Sequence, residues 1–176
     1  MHEIDIKIFY AINHLPHNAA TDFLFKIFDY TTTLGIGWIV LFIILFATIK
    51  KQRKNLLIIS GTVLTTWVVE LIIKVLVQRP RPSAILNDVI VVSKYFLDYS
   101  FPSGQTTVAF AAAITIAMVY GKKWFVYLVF IFAVLVSFSR IFLGAHYLTD
   151  VVAGIMVGSV VPVLVFKIFK LKSALR

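Results

Sequence analysis

The chain contains no cysteine. Disulfides, thiolate metal sites and thiol nucleophiles are therefore excluded. Charge is scarce: charged residues make up 14% of the chain, with 8 acidic against 17 basic side chains and a formal net charge of +9. In a soluble domain such an excess would point to nucleic acid. Here the Lys and Arg residues fall mostly between apolar blocks and form no basic face, so nucleic-acid binding is set aside. The N-terminus, Met-His-Glu-Ile-Asp-Ile-Lys, lacks a basic region followed by an apolar run and a small-residue cleavage site. It is not read as a signal peptide. Repeats, low-complexity stretches and linkers are also lacking, so residues 1–176 are expected to form a single domain.

What fills the chain is apolar side chains: 60% of residues are hydrophobic and the mean hydropathy is +0.94. They come in five blocks, roughly 31–49, 55–78, 103–121, 124–141 and 147–169. Each has the length of a helix that crosses a hydrocarbon core. Ahead of them, residues 4–13 alternate Ile4, Ile6, Ile8, Phe9 and Ile12 with Asp5, Lys7 and Asn13, the pattern of a short amphipathic helix lying on a membrane surface. Residues 19–30 carry Asp22, Lys26 and Asp29 at helical spacing. They read as a second interfacial helix or an extension of the first span, because three charges do not enter lipid readily. The expected fold is all-α: an integral membrane helical bundle of about five transmembrane helices with N-terminal interfacial amphipathic helices.

The basic residues orient that bundle. The loop at 50–54, the Lys122-Lys123 loop and the tail from Lys167 hold ten of the 17. With five spans all three regions fall on one side, which is expected to be cytoplasmic, with the C-terminus. The N-terminus, the 79–102 segment and the 141–147 turn then lie on the outer side.

Three clusters of polar residues reach that outer side. Lys74 is followed by Arg81-Pro82; Pro102-Ser103-Gly104-Gln105 opens the third span; Ser139-Arg140 precedes His146 and Asp150. For any one cation, snorkelling at a helix end is an adequate account. Together, Lys74, Arg81 and Arg140 bring three cations to one place, and the arginine fork matches phosphate oxygens. Pro102 suits the first turn of a helix, where its missing N–H costs nothing. The N–H groups of Ser103, Gly104 and Gln105 would then favour an anion at a helix N-terminus, and Gly104 would let backbone approach it closely. The plainer alternative is an ordinary cap by Ser103. His146 and Asp150 are four apart and share a helix face. A carboxylate on one imidazole nitrogen fixes the tautomer and frees the other to attack. As an isolated pair they would read as a structural contact; beside Arg140 and the Pro-Ser-Gly start they point to catalysis.

These motifs, Lys-x6-Arg-Pro at 74–82, Pro-Ser-Gly-x at 102–105 and Ser-Arg-x5-His-x3-Asp at 139–150, resemble in order and spacing the three-part signature of the type-2 phosphatidic acid phosphatase superfamily. The resemblance implies a metal-independent membrane lipid phosphatase that needs no cofactor and works through a phosphohistidine. It implies His146 as nucleophile, Asp150 as its orienting partner, and Lys74, Arg81, Ser103, Gly104 and Arg140 on the phosphoryl oxygens, supported by Pro82, Pro102 and Ser139. It also implies a lipid phosphate or diphosphate as binding partner within the membrane. Undecaprenyl diphosphate is the first choice; phosphatidylglycerophosphate and the 1-phosphate of lipid A are alternatives. A catalytically silent lipid-phosphate binder or transporter is the alternative of another class.

The sequence departs from the signature at Gln105, where the family places a histidine that protonates the leaving group. An amide donates a hydrogen bond but transfers no proton at neutral pH. An engineered substitution, a non-catalytic relative, and a natural change tolerated because the leaving group needs little help are three readings of it. Glu70 lies four residues before Lys74, either as a structural ion pair or to aim Lys74 at phosphate. His2, His14 and His17 are given no site role. The apolar segment 83–101 either covers the site or rests on the bundle.

Overall fold

The computed structural model describes residues 3–32, 53–92 and 99–171. They form helices α1 (Glu3–Asn13), α2 (Ala19–Thr32), α3 (Arg53–Val77), α4 (Pro82–Ile85), α5 (Gly104–Tyr120), α6 (Trp124–Phe142) and α7 (Leu148–Ile168). No strand occurs among the described residues. Four of the predicted spans correspond to α3, α5, α6 and α7. The predicted span at 31–49 lies outside the described residues, apart from the last two of α2. By length and apolarity α3 with its continuation to Ile85, α6 and α7 can each cross a membrane, whereas α5 is a shorter apolar helix. Outward-facing Leu57, Leu64, Ile72 and Leu76 on α3 are exposed, as expected of a lipid-facing surface.

Helix α5 is the centre of the bundle and packs against α3, α6 and α7. Its buried positions are Thr106, Thr107, Ala109, Ala111, Ala112, Ala113 and Thr115. Small side chains are what helix contacts in lipid require, since apolar bulk gains little there and close backbone approach gains dispersion. The matching surface on α7 is Gly154 and Gly158. A Cβ added at Gly154 would lie 2.8 Å from the Ser103 carbonyl oxygen, and one at Gly158 would strike the Thr107 carbonyl oxygen. Hydroxyls on these apolar helices are satisfied internally. Thr62, Thr66, Thr107, Thr115 and Ser137 each donate to the carbonyl one turn back.

The N-terminal helices dock on the end of this bundle. Phe9 of α1 is buried with Ile141, Tyr147 and Val151. Asn13 donates to the carbonyls of Ile90 and Phe142, both at 2.9 Å, and accepts from Ile90 N–H at 3.0 Å. Helix α2 packs on α6 through Phe25 against Phe142 and Phe28 against Phe132, with ring centroids 4.5 and 5.5 Å apart. The charges of α2 therefore do not share a solvated face. Asp22 pairs with His17, and Asp29 turns inward and is buried. Lone charges inside a bundle are unfavourable, and the partner that compensates Asp29 belongs to the site described below.

The packing yields a direct expectation. Gly158→Leu should lower the stability of the detergent-solubilised protein by about 1–3 kcal/mol, read as a fall in thermal midpoint. An unchanged midpoint would contradict the close α5–α7 approach.

Candidate active site

Chain direction alternates through the bundle, so the C-terminal ends of α3 and α6 meet the N-terminal ends of α5 and α7. This is where the three motifs converge. His146 lies in the α6–α7 turn. That turn is tight: the N–H groups of Ala145 and His146 both donate to the Arg140 carbonyl, at 3.0 and 3.2 Å. It depends on Gly144, whose φ of +78° is unfavourable for other residues and whose missing Cβ leaves room for the Ile90 carbonyl.

The imidazole of His146 is buried and held at both nitrogens. Nδ1 lies 2.7 Å from the Ser100 carbonyl oxygen. A carbonyl only accepts, so Nδ1 carries the proton and Nε2 a lone pair. Arg81 Nη1 donates to Nε2 at 3.2 Å and to the Ala145 carbonyl at 3.0 Å. Burial disfavours the imidazolium. The Asp150 carboxylate opposes that, while the guanidinium groups of Arg81 and Arg140 add to it, and the net effect pushes His146 down to about 3. The ring is therefore neutral, with Nε2 available, throughout the physiological range.

Asp150 stands beside the imidazole as expected, but Nδ1 has a nearer partner in the Ser100 carbonyl. Asp150 Oδ2 is 3.7 Å from His146 Nδ1, beyond a hydrogen bond. Asp150 sits in the first turn of α7, and Oδ2 instead accepts from Tyr147 N–H at 2.9 Å. The Ser100 carbonyl takes the imidazole proton, and no side-chain motif signals a backbone carbonyl. Ser100 is itself fixed by bonds from its N–H to the Arg79 carbonyl (2.7 Å) and from its hydroxyl to the Pro80 carbonyl (3.1 Å). Segment 83–101 thus ends in a residue that grips the histidine; its residues 93–98 lie outside the described part.

The Pro-Ser-Gly start is also arranged differently. Helix α5 begins at Gly104 with Ser103 as its N-cap residue, so Pro102 precedes the cap, and the Phe101–Pro102 peptide is cis. Ser103 N–H is not left for an anion: it donates to the Asp150 carbonyl oxygen at 3.0 Å. Ser103 Oγ bonds Thr106 Oγ1 at 3.0 Å and does not cap the helix. The space beside Gly104 faces Glu70, whose Oε1 would lie 3.1 Å from an added Cβ. Glu70 pairs with Lys74 at 3.0 Å, so Lys74 is tied to the start of α5. Pro82 is buried in the first turn of α4, after Arg81. The Ser139 hydroxyl turns back to the Val136 carbonyl at 2.6 Å.

Three further charged residues belong to this region. Asp29 Oδ1 accepts from Arg140 Nη1 at 2.5 Å and from Gln105 Nε2 at 3.2 Å. Arg79 pairs with Asp150 at 2.5 Å and with Asp5 at 2.7 Å. The sequence shows Arg79 close to a motif arginine, a cation just past the end of an apolar block. Asp5 and Asp29 carried only the weaker signal of an acid inside an amphipathic stretch.

A family model described as the PAP2 superfamily matches residues 55–174. The chain belongs to the PAP2 superfamily. It is 31% identical to undecaprenyl-diphosphatase BcrC of Bacillus subtilis, covering 93% of this chain and 83% of that protein. It is 27% identical to a lipid A 4'-phosphatase of Porphyromonas gingivalis, covering 95% and 73%. Among solved structures, LpxE of Aquifex aeolicus superposes with TM-score 0.81 at 27% identity, covering 94% of this chain and 96% of that one. The PAP2-type phosphatidylglycerolphosphate phosphatase of Bacillus subtilis gives 0.73 at 25%, covering 95% and 85%. This PAP2 chain is accordingly a membrane protein and an enzyme of the lipid phosphatase class.

The state of His146 is open to a direct check. Its ring nitrogens, followed by 15N NMR in detergent, should report the neutral, Nδ1-protonated form from pH 8 down to pH 5. A titration midpoint at or above the ordinary histidine value of about 6.5 would contradict the described environment.

Proposed function

We propose that this enzyme removes the terminal phosphate of a lipid diphosphate, with undecaprenyl diphosphate as first choice, at the outer membrane face through a phosphohistidine on His146. The observation that carries the reading is the state of His146: buried, proton on Nδ1, lone pair on Nε2, and Nε2 against a guanidinium. In the first step Nε2 attacks the terminal phosphorus, the bond from that phosphorus to the bridging oxygen breaks, and the lipid monophosphate leaves with the electron pair. In the second, water attacks that phosphorus, the N–P bond breaks and phosphate leaves. Arg81 turns its N–H groups from Nε2 to the entering phosphoryl oxygens, and Lys74 and Arg140 add positive charge. Stabilising charge where it develops is usually the largest catalytic contribution.

Gln105 supports the choice of diphosphate. It stands where the family resemblance places histidine, and its amide supplies no proton. An alkoxide leaving a monoester resembles hydroxide, a far more basic and poorer leaving group than phosphate. A lipid phosphate leaving a diphosphate has a second pKa of about 6 and departs unaided. Loss of a general acid costs on the order of 10²–10⁴ in rate where one is needed. The undecaprenyl-diphosphatase relative agrees in substrate class. The outer face is supported by the basic residues at 50–54, at 122–123 and in the tail, which favour a cytoplasmic position for the opposite side.

Purified enzyme should release phosphate from undecaprenyl diphosphate, and His146→Ala should abolish release. Phosphatidylglycerophosphate and lipid A 1-phosphate should turn over more slowly. Gln105→His should raise monoester turnover at least about tenfold and change diphosphate turnover little. Equal wild-type rates on the two classes would remove the diphosphate assignment; full activity in His146→Ala would remove the mechanism. A silent binder would release nothing with Gln105 in place.

A further inference from the structure

The N-terminal helix buries one of its charges, Asp5. Along α1, Ile4 is 69% exposed and the Glu3–Lys7 pair lies in solvent, while Asp5 is only 4% exposed. Phe9, one turn on, supplies apolar docking against Tyr147. An apolar residue at position 5 would bury as well, and a buried carboxylate is unfavourable unless fully matched. Asp5 is matched, and both partners adjoin Asp150: Arg79 pairs with it and Thr149 precedes it in the chain. Its Oδ2 accepts from Arg79 Nη2 at 2.7 Å and from the Thr149 hydroxyl at 2.6 Å. Its Oδ1 accepts from Thr149 N–H at 3.1 Å, meeting one of the donors that the first turn of α7 leaves without an intrahelical acceptor.

The other arm of the same guanidinium is directed at Asp150. Arg79 Nη1 donates to Asp150 Oδ1 at 2.5 Å and to Thr149 Oγ1 at 2.6 Å. The Tyr147 ring lies under the guanidinium, 4.1 Å from ring centroid to Cζ. One arginine fork therefore bridges two carboxylates, Asp5 and Asp150. The second oxygen of Asp150 is held by Tyr147 N–H on the side facing His146 Nδ1. The chain of contacts runs from the surface helix to the imidazole: Asp5, Arg79, Asp150, His146.

We propose that Asp5 is a positioning residue for the active site, dividing the charge of Arg79 with Asp150 and holding the first turn of α7 in place. The proposal rests on the reading of His146 as nucleophile. When Nε2 bonds phosphorus the ring gains positive charge, and the carboxylate nearest Nδ1 is Asp150. A guanidinium matched by Asp150 alone would offset that carboxylate and draw it from the ring. Shared with Asp5, it offsets Asp150 only in part and anchors it. The surface helix is in this account a fourth component of the site, outside the three motifs. Its effect falls on the chemical step, because Asp5 touches no substrate.

The test compares three variants in the full-length protein, with undecaprenyl diphosphate as substrate. Asp5→Asn keeps the shape and removes the charge; kcat should fall roughly tenfold, the scale of a lost coupling between neighbouring charges, with KM within twofold. Asp5→Glu should restore part of that loss. Tyr10→Phe removes a docking bond of α1 to the Asn87 carbonyl, away from the Asp5 network; it should lower the thermal midpoint and leave kcat unchanged. The 15N resonances of the His146 ring should shift in Asp5→Asn and not in Tyr10→Phe. A kcat in Asp5→Asn within twofold of wild type overturns the proposal, as does an equal loss in Tyr10→Phe, which would mark α1 as a purely structural brace. If the wild-type enzyme releases no phosphate, the proposed function fails. The ring resonances then decide the positioning role by themselves, and identical spectra in wild type and Asp5→Asn would overturn it.

Discussion

Charge buried at the end of an apolar bundle must be matched within the chain, and the architecture of this site follows from that constraint. Removing a guanidinium or ammonium from water is strongly unfavourable unless a well-placed anion receives it. Arg140 is 1% exposed and lies on Asp29; Arg79 lies between Asp5 and Asp150; Lys74 lies on Glu70. Each pair joins two parts of the structure or stiffens one. Asp29 ties α2 to α6, Asp5 ties α1 to α7, and Glu70 fills the space beside the first residue of α5. The N-terminal helices are thereby part of the site, because they supply two of its counter-charges.

Around these pairs the bundle supplies rigidity cheaply. Alanine and threonine on α5 and glycine on α7 let the backbones approach until side chains on one helix meet carbonyls on the next. That closeness places the Asp150 carbonyl within reach of Ser103 N–H, so the second and third motifs are joined by a backbone bond as well as through Asp29, which accepts from both Gln105 and Arg140. The imidazole of His146 is then fixed by a carbonyl on one side and a guanidinium on the other. In the proposed reaction Arg81 exchanges Nε2 for the phosphoryl oxygens while the Ser100 carbonyl keeps the ring in place, so the nucleophile itself needs little reorganisation.

Much of this was legible in the sequence, and the reasons are physical. Apolar runs of bilayer length announce spans, so α3, α5, α6 and α7 were expected within a few residues of where they lie. Motif residues carry a distinctive chemistry at fixed local spacing, so Lys74, Arg81, Arg140 and His146 stood out. Counter-charges have no such spacing: Asp29 meets Arg140 across 111 residues and Asp5 meets Arg79 across 74. Nothing in a one-dimensional pattern distinguishes them from the solvated acids of an amphipathic helix. Backbone groups are silent too. The Ser100 carbonyl lies nearer to His146 Nδ1 than Asp150 does, and Ser103 N–H, expected to face an anion, is used by the Asp150 carbonyl. Gly104 read as a place for ligand approach, while the fold uses that space for Glu70. Gly154 and Gly158, four apart on α7, were the small-residue signal that span counting passed over.

In the proposed reaction Nε2 of His146 is the atom that receives phosphate. Enzyme mixed with a lipid diphosphate bearing labelled terminal phosphate, quenched in alkali within a single turnover and digested, locates the label by mass spectrometry. Phosphate on His146 in the peptide spanning residues 141–150, accumulating and decaying as free phosphate appears, is the predicted result. Turnover with no labelled enzyme at any time, or with label on a residue other than His146, would contradict it.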